Sequence, residues 1–269
     1  ILLLIYKINL IQLNLMDDNL HHTISDNESN TEEHNLTNNH IHQLNSPSPH
    51  LPSSESLNLN ENLELLKQLR SKYTNNPSIG YLNINSLRGN KFSQLEQICH
   101  LSEIDILCID ETKLTSEIPT SRLYINGYQY PPIRRDRIQK SPNSFGGGKL
   151  VYIREGFICK RVTDFETPTS ETICIELSLR NKKWFVMFGY RPESINRNLF
   201  FEEINNTLSK AFNKYDNILF IGDLNIDLNI PNHDKQHFLR DLCDIFDLSN
   251  MVTDKTCFMS TGGSSIDVM

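Results

Sequence analysis

The sequence predicts an α/β fold of two packed sheets with helices outside them. Three observations carry the prediction. Residues 105–109 and 217–221 are near-continuous apolar runs, the mark of strands covered on both faces. Residues 171–179 alternate, with Ile173, Ile175 and Leu177 set against Cys174, Glu176 and Ser178, as a strand with two unlike faces does. Segments of helical spacing fall between such runs, so strands, hairpins and helices succeed one another along the chain.

The elements come in order. Residues 78–85 read as a strand ending in polar residues. Residues 91–101 read as a helix with Phe92, Leu95 and Ile98/Cys99 on one face. The 105–109 strand ends in Asp110-Glu111-Thr112-Lys113. Residues 124–130 and 148–154 are expected to be further strands, with a polar loop at 131–147 between them. The Gly146-Gly147-Gly148 run there signals a turn and not a phosphate cradle, because a strand follows it rather than a helix. Then come strands at 171–179 and 183–190, a helix at 199–212, and a strand at 217–222 that ends in Asp223-Leu224-Asn225. A helix at 235–246 is next, and residues 264–269 begin one more strand.

Two regions are expected: a disordered, Asn- and Ser-rich stretch at 1–76 and a folded domain at 77–269. The chain of 269 residues is 38% hydrophobic, and the shortfall of apolar residues sits in its first third. Residues 45–54 have linker composition. Leu59, Leu63, Leu66 and Leu69 stand at roughly helical spacing nearby. Residues 1–16 are too short and too polar to span a bilayer, which takes ~20 mostly apolar residues. They also lack the layout of a signal peptide. Met16 is the expected start, with 1–15 as read-through, and no membrane partner is expected. The net charge of −7 divides into −5 over residues 1–77 and −2 over the remainder. A near-neutral domain excludes nucleic-acid binding by bulk charge, so a local basic patch and bound cations must supply the attraction. The six cysteines form no Cys-x-x-Cys pair and no zinc pattern, and Cys108 and Cys174, inside apolar runs, read as reduced core residues of an intracellular protein.

Polar residues cluster where apolar strands end: Asn83 and Asn85, Glu111 and Lys113, Tyr190, Asp223 and Asn225, and Asp267 within the last strand. Several strand ends can converge on one rim. A carboxylate pair such as Glu111 with Asp223 or Asp267 suits Mg²⁺, which takes oxygen ligands and keeps several waters. Asn and Tyr donors suit phosphate oxygens as charge builds on them. A blander reading stands beside each. Asp223-Leu224-Asn225 has turn composition, Tyr190 suits a core, and Arg134-Arg135-Asp136-Arg137 suits a solvated loop as well as a nucleic-acid backbone.

Five segments occur in a telling order: Leu82-Asn83-Ile84-Asn85-Ser86-Leu87-Arg88, Ile109-Asp110-Glu111-Thr112-Lys113, Gly189-Tyr190-Arg191-Pro192, Gly222-Asp223-Leu224-Asn225 and Ser265-Ile266-Asp267. Together they resemble the successive motifs of the endonuclease/exonuclease/phosphatase superfamily, closest to the endonuclease domains of non-LTR retrotransposons. The Arg134–Arg137 run and the glycines leading into Val151-Tyr152-Ile153-Arg154-Glu155-Gly156 resemble that branch in particular. The resemblance implies a four-layer α/β/β/α sandwich of two mixed sheets. It implies Mg²⁺ or Mn²⁺ on Glu111, with Asn85 as a neutral second ligand. It puts Asn83 and Tyr190 on the phosphate, Asp223 on the attacking water with Asn225 beside it, and Lys113, Arg134 and Arg135 on the substrate. Asp267 orients a histidine of a following motif; the chain ends two residues after Asp267, so the last strand and that histidine are expected to be missing and activity to be feeble. The implied function is nicking of DNA, in the nucleus, beside a reverse transcriptase domain. A phosphatase acting on a small or lipid phosphate and a non-catalytic retroelement fragment are the alternatives.

Overall fold

The computed structural model describes residues 64, 67, 68, 70–72, 74–137, 146–226, 233–250 and 267–268. Most of the predicted N-terminal region, with its leucine-spaced segment, lies outside these residues, as do the 138–145 loop and Cys257. One sheet is built from β1 (Ile79–Asn83), β2 (Ile106–Asp110), β3 (Ile133–Arg135) and β4 (Lys149–Ile153), in the spatial order β1-β2-β4-β3. The other runs β5 (Ile158–Arg161), β6 (Glu171–Leu179), β7 (Lys182–Tyr190), β8 (Asn217–Asp223) and β9 (Asp267–Val268) in sequence order. Both sheets are mixed. β1 pairs parallel with β2, and β7 with β8, while the other neighbours are antiparallel. Parallel neighbours need a crossover. Helix α1 (Lys91–Ser102) supplies the first and α2 (Arg197–Phe212) the second; α3 (His233–Phe246) comes after β8.

Strand parity sorts the residues into layers. Ile79 and Tyr81 of β1, Ile106 and Cys108 of β2, and Val151 and Ile153 of β4 meet Ile173, Ile175, Leu177, Val186, Phe188, Leu219 and Ile221 of the second sheet. The intervening residues face outward. Cys174, Phe185, Met187 and Phe220 pack under Phe200, Ile204, Leu208 and Ala211 of α2, with Leu242 and Phe246 of α3. Those α2 residues recur at three- and four-residue steps, the stripe of an amphipathic helix. Burying each large apolar side chain contributes about 1.5–3 kcal/mol. Helix α1 buries Leu95, Ile98 and Cys99, the face expected from spacing.

Three segments differ from expectation. Residues 124–130 are not a strand. Thr120–Leu123 is a 3-10 turn, and only Tyr128 bridges to Arg154. The buried residues there, Leu123, Ile125 and Tyr128, do not keep a period of two. The expected 131–147 loop contains β3, whose two arginines hide a strand behind loop-like composition. β5 is a strand where none was expected, because its edge residues alternate between exposed, such as Ile158 and Lys160, and only partly buried, and so carry little apolar pattern. The five cysteines among the described residues are free. Burial pushes the Cys99 thiol up to about 12, which keeps it protonated and inert.

Gly222 and Gly189 are register partners in β8 and β7. A Cβ on Gly222 would meet the Gly189 carbonyl oxygen at 2.2 Å. Gly222→Ala is therefore expected to destabilise the fold by about 1–3 kcal/mol, read as a lower urea midpoint at unchanged slope.

Candidate active site

The apolar filling between the sheets stops at one end, and polar residues continue its parity. In the first sheet Asn83, Asp110, Lys149 and Arg135 form a single register row. In the second, Glu171, Tyr190, Asp223 and Asp267 form another. Up to Asp223, these rows lie on the same strand faces as the core beneath them, and Asp267 follows in backbone register.

Buried contacts tie the rows together. Asp110 and Lys149 form an ion pair in which both side chains are 0% exposed. Tyr81 donates its hydroxyl hydrogen to the other Asp110 oxygen, and the same hydroxyl oxygen accepts the Asp223 N–H at 3.1 Å. Burial pushes the Asp110 carboxyl up to about 6, while the Lys149 ammonium pulls it the other way. Above this layer Glu111 is the hub. Its Oε1 accepts from Tyr190 Oη at 2.8 Å and from Asn83 Nδ2 at 2.9 Å. The same Asn83 amide reaches Asp223 Oδ2 at 3.4 Å. The other Asp223 oxygen accepts the Asn225 N–H at 2.9 Å.

The backbone holding these groups is unusual in one consistent way. Asn85, Glu111, Lys113 and Asn225 all adopt left-handed conformations, with φ of 46°, 52°, 52° and 49°. Each costs a non-glycine residue about 1–2 kcal/mol and persists where neighbours over-determine it. The Glu111 loop is so determined. Ser86 and Leu87 donate their N–H groups to the Glu111 and Thr112 carbonyls at 2.7 and 2.8 Å. On its other side Lys113 and Thr112 donate to Gly147 and Gly148 at 2.8 and 3.2 Å. Gly147 and Gly148, at φ of 65° and 87°, make the turn that the glycine run announces, and a Cβ on Gly148 would strike Thr112 Oγ1 at 2.7 Å.

Among the described residues no group of three His, Cys, Asp or Glu side chains is placed to hold a metal ion. A hard cation that keeps most of its waters needs only one or two carboxylates. Glu111 and Asp223, both touching the Asn83 amide, fit that requirement. Asn85 Oδ1 already accepts from the Lys113 ammonium, so it faces positive charge.

No family model and no curated protein sequence matches the chain. Solved structures do match its architecture. The endonuclease domain of TRAS1, a telomere-specific non-LTR retrotransposon, superposes with a TM-score of 0.52 at 12% identity, over 70% of this chain and 81% of that one. A 3' phosphatase from Neisseria, NExo, bound to a product DNA hairpin, gives 0.51 at 15% identity, over 71% and 84%. The 3'-5' exonuclease form of NExo from Neisseria meningitidis gives the same values. The chain has the endonuclease/exonuclease/phosphatase fold. Its four layers are those the resemblance implied.

Within this fold the residues expected at the site divide into four groups. Asn83, Glu111, Tyr190 and Asp223 join in one hydrogen-bonded network. Asn85, Lys113 and Asn225 flank it: Asn85 donates its N–H to Asn83 Oδ1 at 3.1 Å, and Asn225 Nδ2 donates to the Arg191 carbonyl at 2.9 Å. Asp267 lies opposite Asp223 in the register of β9 and β8. Arg134 and Arg135 are not brought to the network. Arg134 chelates Asp136 and donates to the Ile118 and Thr115 carbonyls at 2.7 and 2.6 Å. Arg135 donates to the Thr172 and Thr167 carbonyls at 2.6 and 2.7 Å. These donors hold the fold together away from the Glu111 network, and no contact to that network accompanies the substrate role expected of the two arginines.

The residues that reasoning from sequence overlooked are the supports. Arg137 pairs with Glu171 and stands 6.0 Å from the centre of the Tyr190 ring. Glu171 in turn accepts the Gly148 N–H at 2.8 Å. Lys91 donates to the Ile84 and Asn85 carbonyls at 3.0 and 3.3 Å. Burial, and then the neighbouring Lys113 charge, hold Lys91 below its ordinary value.

Proposed function

We propose that this chain is a divalent-metal-dependent phosphodiesterase that nicks DNA, of the kind carried by non-LTR retrotransposons. The observation that carries the reading is the Glu111 carboxylate, fixed by Tyr190 and Asn83 within reach of Asp223 at one end of the two-sheet sandwich. Glu111 would hold Mg²⁺ or Mn²⁺, with Asn85 a second ligand once its oxygen is released from the Lys113 ammonium, and such a cation neutralises the phosphate and stabilises the leaving oxygen. Asn83 and Tyr190 offer donors to phosphate oxygens as charge develops on them. Burial, and next the Glu111 charge, push the Tyr190 phenol well above its ordinary value, so it stays protonated and able to donate. Asp223 is 2% exposed and anchored by the Asn225 N–H, which suits an acceptor that orients an attacking water. Lys113 and Arg137 add positive charge around an acidic centre. Asp267 stands in the Asp223 row, where it supports a further orienting role.

The likeness to a retrotransposon endonuclease domain and to a phosphatase solved with a DNA hairpin supports DNA as the partner. A reverse transcriptase domain of the same element and action in the nucleus complete the reading. The test is conversion of supercoiled plasmid to open circle by the full chain. Nicking is expected in Mg²⁺ and not in EDTA. Asp223→Asn is expected to slow it by about a hundredfold, the lower end of what a positioned base contributes, because the amide oxygen still accepts a hydrogen bond. Metal-independent conversion, or a rate indifferent to Asp223→Asn, would sink the reading.

A further inference from the structure

Beside the Glu111 network lies a polar cleft that the chemistry above does not use. It has a volume of about 560 Å³ and is lined by Arg191, Glu193, Ile195, Arg197, Asn198 and Asn225. Arg191 is 3% exposed. Its guanidinium donates to the carbonyls of Leu224 at 2.6 Å, Asn225 at 2.8 Å, Ile195 at 3.1 Å and Pro192 at 3.5 Å. All of these partners are neutral, and among the described residues it forms no ion pair. A buried charge is ordinarily paired, because leaving it alone is costly. Arg197 is exposed at the start of α2, and its charge, after burial, lowers the Arg191 value. Two like charges thus face one cleft whose lining holds one carboxylate, Glu193, with Asp223 acting on Arg191 from the adjoining site.

The cleft is continuous with the candidate site. The Arg191 N–H donates to the Asp223 carbonyl at 3.0 Å, and Asn225 belongs to both. An anion held there sits next to whatever Asp223 and Tyr190 act on. We propose that the cleft binds the phosphate adjoining the cleaved one in a nucleic-acid strand, with Arg197 as its contact and Arg191 as a fixed charge behind it. This inference rests on the phosphodiesterase reading and narrows its substrate, since an isolated phosphate ester has no second phosphate to place. It also explains how a domain of net charge near zero attracts a polyanion: the charge is local and aimed.

The experiment measures binding of a short labelled DNA strand to the full chain by fluorescence anisotropy, in EDTA, across a salt series. Arg197→Ala is expected to weaken binding about tenfold and to reduce the salt slope by about one. Arg122→Ala, which removes an exposed arginine from the 120–123 turn, is expected to change neither. Equal weakening by both variants, or none by Arg197→Ala, would overturn the proposal. So would displacement of the strand by inorganic phosphate as effectively as by unlabelled DNA, which would make the cleft a free-phosphate site. No hydrolysis is needed for this readout. A chain that fails to nick plasmid yet binds through Arg197 loses the phosphodiesterase reading, and with it the neighbouring cleaved phosphate, and keeps only a strand-binding cleft; one that nicks but ignores Arg197→Ala keeps the phosphodiesterase reading and loses the subsite.

Discussion

Lys149→Met is expected to destabilise the domain by about 3–5 kcal/mol at neutral pH, the cost of stranding a buried charge. Lys149 and Asp110 are both 0% exposed, so water cannot take over the lost partner. The pH dependence has a definite sign. Burial raises the folded Asp110 carboxyl from 3.8 to about 6 even with Lys149 present, and removing that ammonium raises it further. Above the ordinary value the unfolded chain releases this proton while the folded chain retains it. Stability contributed by this group therefore falls as pH rises from about 4 through the folded value. The variant's deficit is thus full at neutral pH and shrinks in mild acid, where Asp110 is neutral in the fold. Asp110→Asn combined with Lys149→Met removes both charges and is expected to recover most of the loss. Urea unfolding at neutral pH and at about pH 5 checks all three statements. A Lys149→Met deficit that is equal at the two pH values would show that lost packing, not stranded charge, sets the cost.

Glu111→Gln is expected to lower metal-dependent nicking by roughly a thousandfold while leaving the unfolding midpoint nearly unchanged. The amide oxygen can still accept from Tyr190 and Asn83, so the network keeps its shape. On the proposed function, what is lost is the negative charge that would hold a cation. A metal's stabilisation of the transition state is several kcal/mol, and each 1.36 kcal/mol is tenfold in rate. The metal titration should show a raised half-saturation for Mg²⁺ together with the lower rate. A variant that nicks normally with an unchanged Mg²⁺ requirement would remove Glu111 from the metal's surroundings.

Much of this arrangement was legible in the residues themselves. Strands at 106–110 and 217–223 announce themselves as apolar runs, and the polar residue just past each run, Glu111 or Asn225, lands where the chain turns back. The Asp110–Lys149 pair was legible in principle and went unread. Asp110 shares parity with Ile106 and Cys108, and Lys149 with Val151 and Ile153, so both must point between the sheets. The same rule separates Arg135 from Arg134. Register between strands distant in sequence is not written in any local pattern. The Tyr81 hydroxyl reaching the Asp223 N–H across the sandwich, and the Arg191–Arg197 cleft, depend on how two sheets meet. Loop-like composition concealed β3, because its arginines are satisfied by carbonyls that only the folded chain supplies.

The contact between Asn83 and Asp223 spans 140 residues. Such a span imposes a delay during synthesis. Glu111 leaves the ribosome's catalytic centre 112 residues ahead of Asp223. At about 5–20 residues per second, that is roughly 6–20 s of synthesis during which one carboxylate exists without the other. Neither sheet alone contains both. The growing chain therefore carries no assembled site until β8 has been made and has closed against β1, and a product that stalls earlier holds Glu111 without Asp223.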